Sequence, residues 1–209
     1  QVAQFSGGNL DWVTQLTVHD RDAARNSVPK LTSIAAVGGS DLKINLQLGD
    51  PNSIWQDIRL RRALSMALDR DALAKLLFDG TGVLGFWVPA YFGKWSIGLD
   101  QLPAETAQYY KYDPQRAKQL LAEAGHPDLA VKIPDPPATP GGPTFNKYLE
   151  QLPPMLQTAG IKAQLVPVDY QRDFMNNGKG IFYGNYKPDN IVGWFVSAYA
   201  DPDQFLYIY

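Results

Sequence analysis

The chain has 209 residues, of which 45% are hydrophobic and 12% aromatic, enough to bury one large core or two small ones. Its 19 Lys and Arg against 21 Asp and Glu leave a formal net charge of −2, which does not point to nucleic acid or to an acidic membrane surface. There is no Cys, which removes thiol nucleophiles, disulfides and Cys-based zinc sites, and no apolar run approaches the ~18 residues of a membrane span.

The start, QVAQFSGGNL, has neither Met nor a charged-then-apolar leader, and is expected to belong to a processed or excised chain. Residues 1–40 read as loosely packed: Val2 to Phe5, a Gly7-Gly8 turn, an apolar stretch around Trp12 to Val18, then the charged passage HDRDAARN. The first regular strand is LKINLQL, residues 42–48, in which Leu42, Ile44, Leu46 and Leu48 alternate with polar residues. In DIRLRRALSMALDRDALAKLLFDG, Leu60, Ala63, Leu64, Ala67 and Leu68 make one helical stripe behind an N-cap at Asp57. Asp69 is placed to cap a second stripe, Ala72, Leu73, Leu76 and Leu77, so two consecutive helices or one broken helix is expected, ending at Gly80. YDPQRAKQLLAEAG predicts another helix, with Asp113 as cap, Pro114 in the first turn and Gly125 as stop.

A short strand, Val131 to Ile133, is followed by PDPPATPGGP, residues 134–143, whose five prolines and two glycines predict an irregular loop. Phe145, Tyr148, Leu149, Leu152, Met155, Leu156 and Ala159 keep helical spacing, while Pro153-Pro154 removes two backbone donors and predicts a kink or split. IKAQLVPV, residues 161–168, alternates as a strand. A short helix from Asp169 to Asn177 and an apolar run from Ile191 to Val196 complete the series. Strands interleaved with helices imply an α/β layer structure.

The motifs with chemical meaning are weak. Gly80-Thr81-Gly82-Val83-Leu84-Gly85 fits the dinucleotide pattern in letters, but that fingerprint needs a strand before it and a helix after it. Here a Leu-rich helix runs into Gly80, and Pro89 disfavours helix at Val88, so the stretch is a loop after a helix end. His19 and His126 are the only histidines, neither is in a metal-ligand spacing, and no G-x-S-x-G elbow is present. Asp201 and Asp203 flank Pro202 in a turn, where capping is favoured over acid–base work. Arg59, Arg61, Arg62 and Arg70 are expected on a solvated face, paired with Asp57, Asp69 and Asp71. The unusual feature is aromatic: Phe86-Trp87, Tyr91-Phe92, Trp95, Trp194-Phe195 and Tyr199 stand in or beside loops, where packing explains most of them and a small-molecule pocket is the alternative.

IWQDIRLRRALSMALDRDALAKLLFDGTG resembles the signature region of the family 5 extracellular solute-binding proteins, the oligopeptide-, dipeptide- and nickel-binding proteins of ABC importers. FSGGNLDW, YDPQRAKQLLAEAG, LQTAGIKAQL and GWFVSAYADPDQFL are similar to further elements of that family in the same order, so the likeness runs over essentially the whole chain. The resemblance implies a periplasmic-binding-protein type II lobe, a mixed sheet flanked by helices, with residues 41–209 as the C-terminal ligand-binding lobe and residues 1–40 as the end of the first lobe and the crossover. It further implies no catalysis and no cofactor, a peptide or other small solute as ligand, a membrane ABC permease as partner, and no nucleic acid. A periplasmic or extracellular location with a lipid tether on the parent belongs to the same picture. An isolated lobe exposes surface normally covered, so self-association is expected.

On this reading Trp194, Ser197 and Tyr199 form the cleft wall and Trp87 adds an apolar contact. Peptide-binding members carry an acid shortly after the Trp of the Gly-Trp segment; here none occurs before Asp201, which leaves a sugar or a differently held peptide as comparable ligands. The alternative from another class is an α/β hydrolase- or transferase-like domain using Asp201 or Asp203. A signalling or chaperone derivative that keeps the lobe but not transport is a third possibility.

Overall fold

The computed structural model describes residues 2–13, 16, 18–34, 40–86, 88–137, 139 and 141–197, with the backbone alone at 18, 40, 41, 91, 196 and 197. The elements run α1 (Val2–Ser6), α2 (Val18–Ser27), β1 (Ser40–Leu46), α3 (Ile58–Met66), α4 (Arg70–Phe78), α5 (Ala104–Ala107), α6 (Pro114–Glu123), β2 (Ala130–Asp135), α7 (Gly142–Thr158), β3 (Lys162–Pro167) and β4 (Ile191–Ser197). Short 3₁₀ turns and one π turn, Tyr170–Phe174, lie between them. Among the described residues no helix is long and apolar enough to cross a membrane.

Local chemistry accounts for the helix ends. Asp57 Oδ1 accepts the Arg59 N–H at 2.8 Å and starts α3, and Asp69 Oδ1 accepts the Ala72 N–H at 2.9 Å and starts α4, so the chain breaks between them as the second capping residue predicts. The end of α4 differs from expectation in detail: Asp79 takes the left-handed conformation first (φ 54°), Gly80 follows, and its N–H reaches back to the Ala74 carbonyl at 3.0 Å. Asp113 caps α6 through the Arg116 N–H at 2.9 Å, with Pro114 in the first turn.

Four sequence expectations are corrected. Residues 18–27 form a helix, α2, of whose described side chains only Ala24 is buried; nothing in HDRDAARN gives an apolar stripe to reveal it. The region read as loop from residue 134 begins two residues later, because Pro134 and Asp135 extend β2, and the helix beyond it already starts at Gly142. Pro153 and Pro154 do not split α7, which runs continuously over 17 residues. Each proline removes a backbone donor at a cost of about 3 kcal/mol, but Leu149 and Leu152 before the pair and Leu156 after it are fully buried, each worth ~1.5–3 kcal/mol. The expected helix from Asp169 to Asn177 is a single π turn with Asp169 as its cap.

The strands form two pairs. β1 and β4 are antiparallel, in register from Ser40 opposite Ser197 to Leu46 opposite Ile191; β2 and β3 are parallel, from Ala130 opposite Lys162 to Asp135 opposite Pro167. β2 also runs beside β4, and in the same direction. Ala130 at its start shares a surface depression with Asn190, which precedes β4, whereas the turn after its end brings Gly141 onto Phe195 near the end of β4. The α/β class is as expected, with the mixed sheet resolved into a parallel and an antiparallel ladder lying side by side. α7 covers β2, β3 and β4 on one face, α3 packs on α6, and one core holds Leu60, Leu121, Ile133, Phe145, Leu149 and Ile161.

Candidate functional site

Because β2, β3 and β4 share a direction, their carboxyl ends, Asp135, Pro167 and Ser197, lie at one end of the lobe. In open α/β sheets that end is where ligands bind. Side chains alternate between faces along β4. Gly193 faces α7 so closely that a Cβ there would stand 2.2 Å from Leu149 Cδ2, and Phe195 shares that face, its ring 5.1 Å from Phe145. Trp194, between them, is in register with Lys43, and its ring stacks on that of Phe195 at 5.1 Å and 22°.

There it is the middle of an aromatic cluster. The Trp194 ring stacks on Phe174 at 5.2 Å and 10°, and Phe182 leans on it at 4.8 Å. Tyr170 stacks on Phe174 at 5.8 Å, and Tyr183 meets Phe182 edge-on at 5.1 Å. Phe174 is fully buried while Phe182 and Tyr183 remain 44% and 49% exposed, so the cluster has a dry base and an open rim. Burial raises the pKa of the Tyr170 phenol. The cluster can stack and exclude water; it presents no group poised for proton transfer at neutral pH.

The segment that carries these rings is fixed by its own polar contacts. Asp169 Oδ1 accepts the Arg172 N–H at 2.7 Å, and Gly180 lies so near Phe174 that a Cβ would stand 2.3 Å from its carbonyl oxygen. Gln47 Nε2 donates to the Gly184 carbonyl, Ser53 Oγ to Pro188 O at 2.9 Å and Trp55 Nε1 to Asn190 O at 3.1 Å. These bonds tie residues 184–190 to the chain between β1 and α3.

Of the residues assigned from sequence, Trp194 is thus placed half-buried on β4, and Ser197 ends that strand beside Ser40. Trp87, Tyr199, Asp201 and Asp203 lie outside the described residues. Phe174, Phe182, Tyr170 and Tyr183 were not singled out; their signal was the i, i+4 spacing of Tyr170 and Phe174 and the glycines at 180 and 184 that bracket the second pair. The arginines are not a simple solvated face. Arg59 does pair with Asp57 at 2.6 Å, but Arg61 donates to the Trp55 and Gln56 carbonyls and Arg62 lies 4.2 Å over the Tyr109 ring. Arg70 donates to Ser65 O at 2.8 Å and Tyr110 O at 3.2 Å, and burial lowers its pKa. Asp69 is spent on its cap.

Residues 80–85 form no regular element after α4, and the next element is the 3₁₀ segment Ala90–Trp95, the inverse of a nucleotide-binding order. Gly82 instead lets the chain fold back on α4, where a Cβ would stand 2.9 Å from Phe78 Cδ2. Two open depressions of about 400 and 410 Å³, lined by His126, Asp128, Ala130 and Asp189 and by Lys132, Lys162 and Lys187, lie at the amino ends of β2 and β3, away from Trp194.

The family profile for bacterial extracellular solute-binding proteins, family 5 Middle, matches residues 1–209. The chain belongs to this family. Among curated relatives it is 26% identical over 128 residues to the oligopeptide-binding protein AppA of Bacillus subtilis, covering 61% of this chain and 22% of that one. It is 29% identical over 158 residues to heme-binding protein A of Haemophilus influenzae, covering 73% and 26%. With the dipeptide-binding protein of Escherichia coli it shares 27% over 152 residues, covering 71% and 26%. The chain thus spans only 22% to 26% of the length of these relatives. Among solved structures, HbpA2 of Haemophilus parasuis superposes over 98% of this chain and 38% of its own with a TM-score of 0.70 at 22% identity. NikZ of Campylobacter jejuni, in complex with Ni(L-His), does so over 98% and 38% with a TM-score of 0.69 at 18% identity. At these identities the structures show that the family 5 chain has the family 5 fold. The family is one of solute-binding proteins, not of enzymes.

Proposed function

We propose that this chain is one lobe of the substrate-binding component of an ABC-type importer, capturing a peptide or other small solute outside the cytoplasmic membrane and presenting it to a membrane permease. The supporting observation is the end-to-end match to family 5, joined to an aromatic wall beside the gathered carboxyl ends of three parallel strands. Residues 41–209 are the ligand-binding lobe and residues 1–40 the end of the first lobe and the crossover. β1 and β4 pair from Ser40 opposite Ser197 onward.

Trp194 forms the wall, with Ser197, Tyr199 and Trp87 as neighbours on the ligand. Relatives named for oligopeptide and dipeptide binding favour a peptide, and the missing acid between Trp194 and Asp201 keeps a sugar in play. The parent is periplasmic or extracellular and tethered to the membrane. Exposure of Trp12 (77%), Ile34 (88%), Val83 (72%) and Trp95 (64%) supports self-association of the lobe by itself; light scattering over a concentration series should show it, and a monomer throughout refutes it.

Native mass spectrometry of the full-length parent tests the main reading. A non-covalently held small molecule is expected, lost in Trp194→Ala. A parent that carries nothing, yet has a turnover abolished by Asp201→Asn or Asp203→Asn, would favour the enzyme instead.

A further inference from the structure

Asn177-Gly178 is the only Asn-Gly pair in the sequence, and it sits in the turn that returns the chain from Phe174 toward Phe182. That turn is closed on the Asn176 carbonyl, which accepts the Lys179 N–H at 2.9 Å and the Gly180 N–H at 2.7 Å. Gly178 takes φ 70° while φ of Asn177 is not positive, the pattern of a type II turn with these two residues at its corners. Both are exposed, and among the described residues neither the Asn177 carboxamide nor the Gly178 N–H has a hydrogen-bond partner. Gly178 also has no Cβ to shield its nitrogen or to resist rotation of the peptide that joins the pair. Comparable groups elsewhere are held. Asn146 Nδ2 donates to Pro137 O at 3.1 Å and Asn185 Nδ2 to Lys179 O at 2.7 Å. At Asp79-Gly80, the one Asp-Gly pair, the glycine N–H is bound to the Ala74 carbonyl at 3.0 Å.

A free main-chain nitrogen beside a free carboxamide can close a ring. The Gly178 nitrogen gives up its proton and attacks Asn177 Cγ; the N–Cγ bond forms, the Cγ–Nδ2 bond breaks, and Nδ2 takes up a proton and leaves as ammonia. Water then opens the cyclic imide. Attack at Cγ restores the ordinary main chain with Asp, whereas attack at the Asn177 main-chain carbonyl leaves isoaspartate, whose main chain runs through Cβ and Cγ and is longer by a carbon. We propose that Asn177 is a site of deamidation in the folded protein and that its isoaspartyl product unseats the aromatic wall. The added carbon falls where there is no slack: a Cβ on Gly180 would already stand 2.3 Å from Phe174 O and 2.7 Å from Asn176 N. Gly180 leads directly into the 3₁₀ turn Ile181–Tyr183, whose Phe182 ring lies 4.8 Å from Trp194. The inference is independent of what the cargo is.

The test is a timed incubation of the full-length parent in mildly alkaline buffer, folded and in urea, with the tryptic peptide spanning residues 173–179 read by liquid chromatography and mass spectrometry. In the folded parent this peptide should exchange an amide for an acid and split into two products of equal mass. Its rate should rise with hydroxide concentration and exceed that of any other Asn in the folded chain by about tenfold or more. Asn177→Gln, whose longer side chain closes the ring poorly, should abolish the products, and Asn176→Gln should keep them. The isoaspartyl protein should show a shifted tryptophan emission, while Asn177→Asp, which adds the charge without lengthening the main chain, should keep the emission of the unaltered protein. Conversion in urea with none in the folded parent, or products that survive Asn177→Gln, overturns the site. Conversion with unchanged emission, or the same shift in Asn177→Asp, overturns the coupling to the wall.

Discussion

Gly193→Ala isolates the close contact between α7 and β4 beside Trp194. A Cβ on residue 193 would stand 2.2 Å from Leu149 Cδ2 and 3.6 Å from Tyr148 Cε1. Carbon atoms pack at roughly 3.5–4.0 Å, so Leu149 must retreat by more than about 1 Å. It cannot swing into solvent, because Leu149 is fully buried in a core that includes Phe145, Leu152 and Ile133. Overpacking of this kind costs about 1–3 kcal/mol, against which the stiffer unfolded chain of Ala returns about 0.4–1 kcal/mol. A net loss of about 1–2 kcal/mol is expected, seen as a lower urea midpoint at unchanged slope.

A double-mutant cycle removes the ambiguity. Leu149→Ala alone should cost about 2–5 kcal/mol through the cavity it leaves. In the double variant the new Cβ grows into that space, so the combined loss should fall short of the sum by about 1 kcal/mol or more. Because residue 194 follows, Gly193→Ala should also shift the tryptophan emission, through displacement of the ring stacked on Phe174. Strict additivity, or a Gly193→Ala protein as stable as the original, refutes the claim that the close approach of Leu149 to β4 depends on residue 193 having no side chain.

Two further substitutions probe the frame around the site. The Arg59 guanidinium, and then its backbone N–H, hold the Asp57 carboxyl at about 2, below its ordinary 3.8. A depressed folded value means stabilisation that is full above about pH 4 and lost as pH falls through about 2. Asp57→Ala should therefore cost about 1 kcal/mol near neutrality through the lost cap, and urea midpoints of the two proteins should converge between pH 4 and 2; a constant gap down to pH 2 counts against the cap. Arg70→Ala leaves Ser65 and Tyr110 carbonyls without their donor, for a loss of about 1–3 kcal/mol. Amide exchange across residues 104–113 should speed up, with only partial rescue by Lys, which lacks the second nitrogen that Arg70 Nη2 donates to Ser65 Oγ at 2.9 Å; unchanged exchange there would show that Arg70 is not what holds the segment.

What was legible in the sequence was whatever one short window encodes. Asp57, Asp69 and Asp113 announce three helix starts because a cap is a local hydrogen bond between residues two or three apart. The stripes of α3, α6 and α7 are visible because burial repeats at helical spacing. Pro153-Pro154 misled for a complementary reason: the missing donors are local, but the burial that outweighs them comes from β2, β3 and β4, far away in the chain. α2 was hidden because it has almost no core-facing residue to mark a period.

The site falls on the wrong side of that divide. Trp194 could be named from the chain because of the family likeness of its segment, yet what it touches is decided by a ladder that sets it opposite Lys43, about 150 residues earlier, and by rings that arrive on the 170–183 segment. Gly193 and Trp194 have neighbouring tasks: the glycine admits α7 to β4, and the indole next to it stacks between Phe195 and Phe174, with Phe182 against it. Each partner looks ordinary in sequence, a glycine in a strand and a phenylalanine in a turn, and only the folded chain makes them parts of one wall.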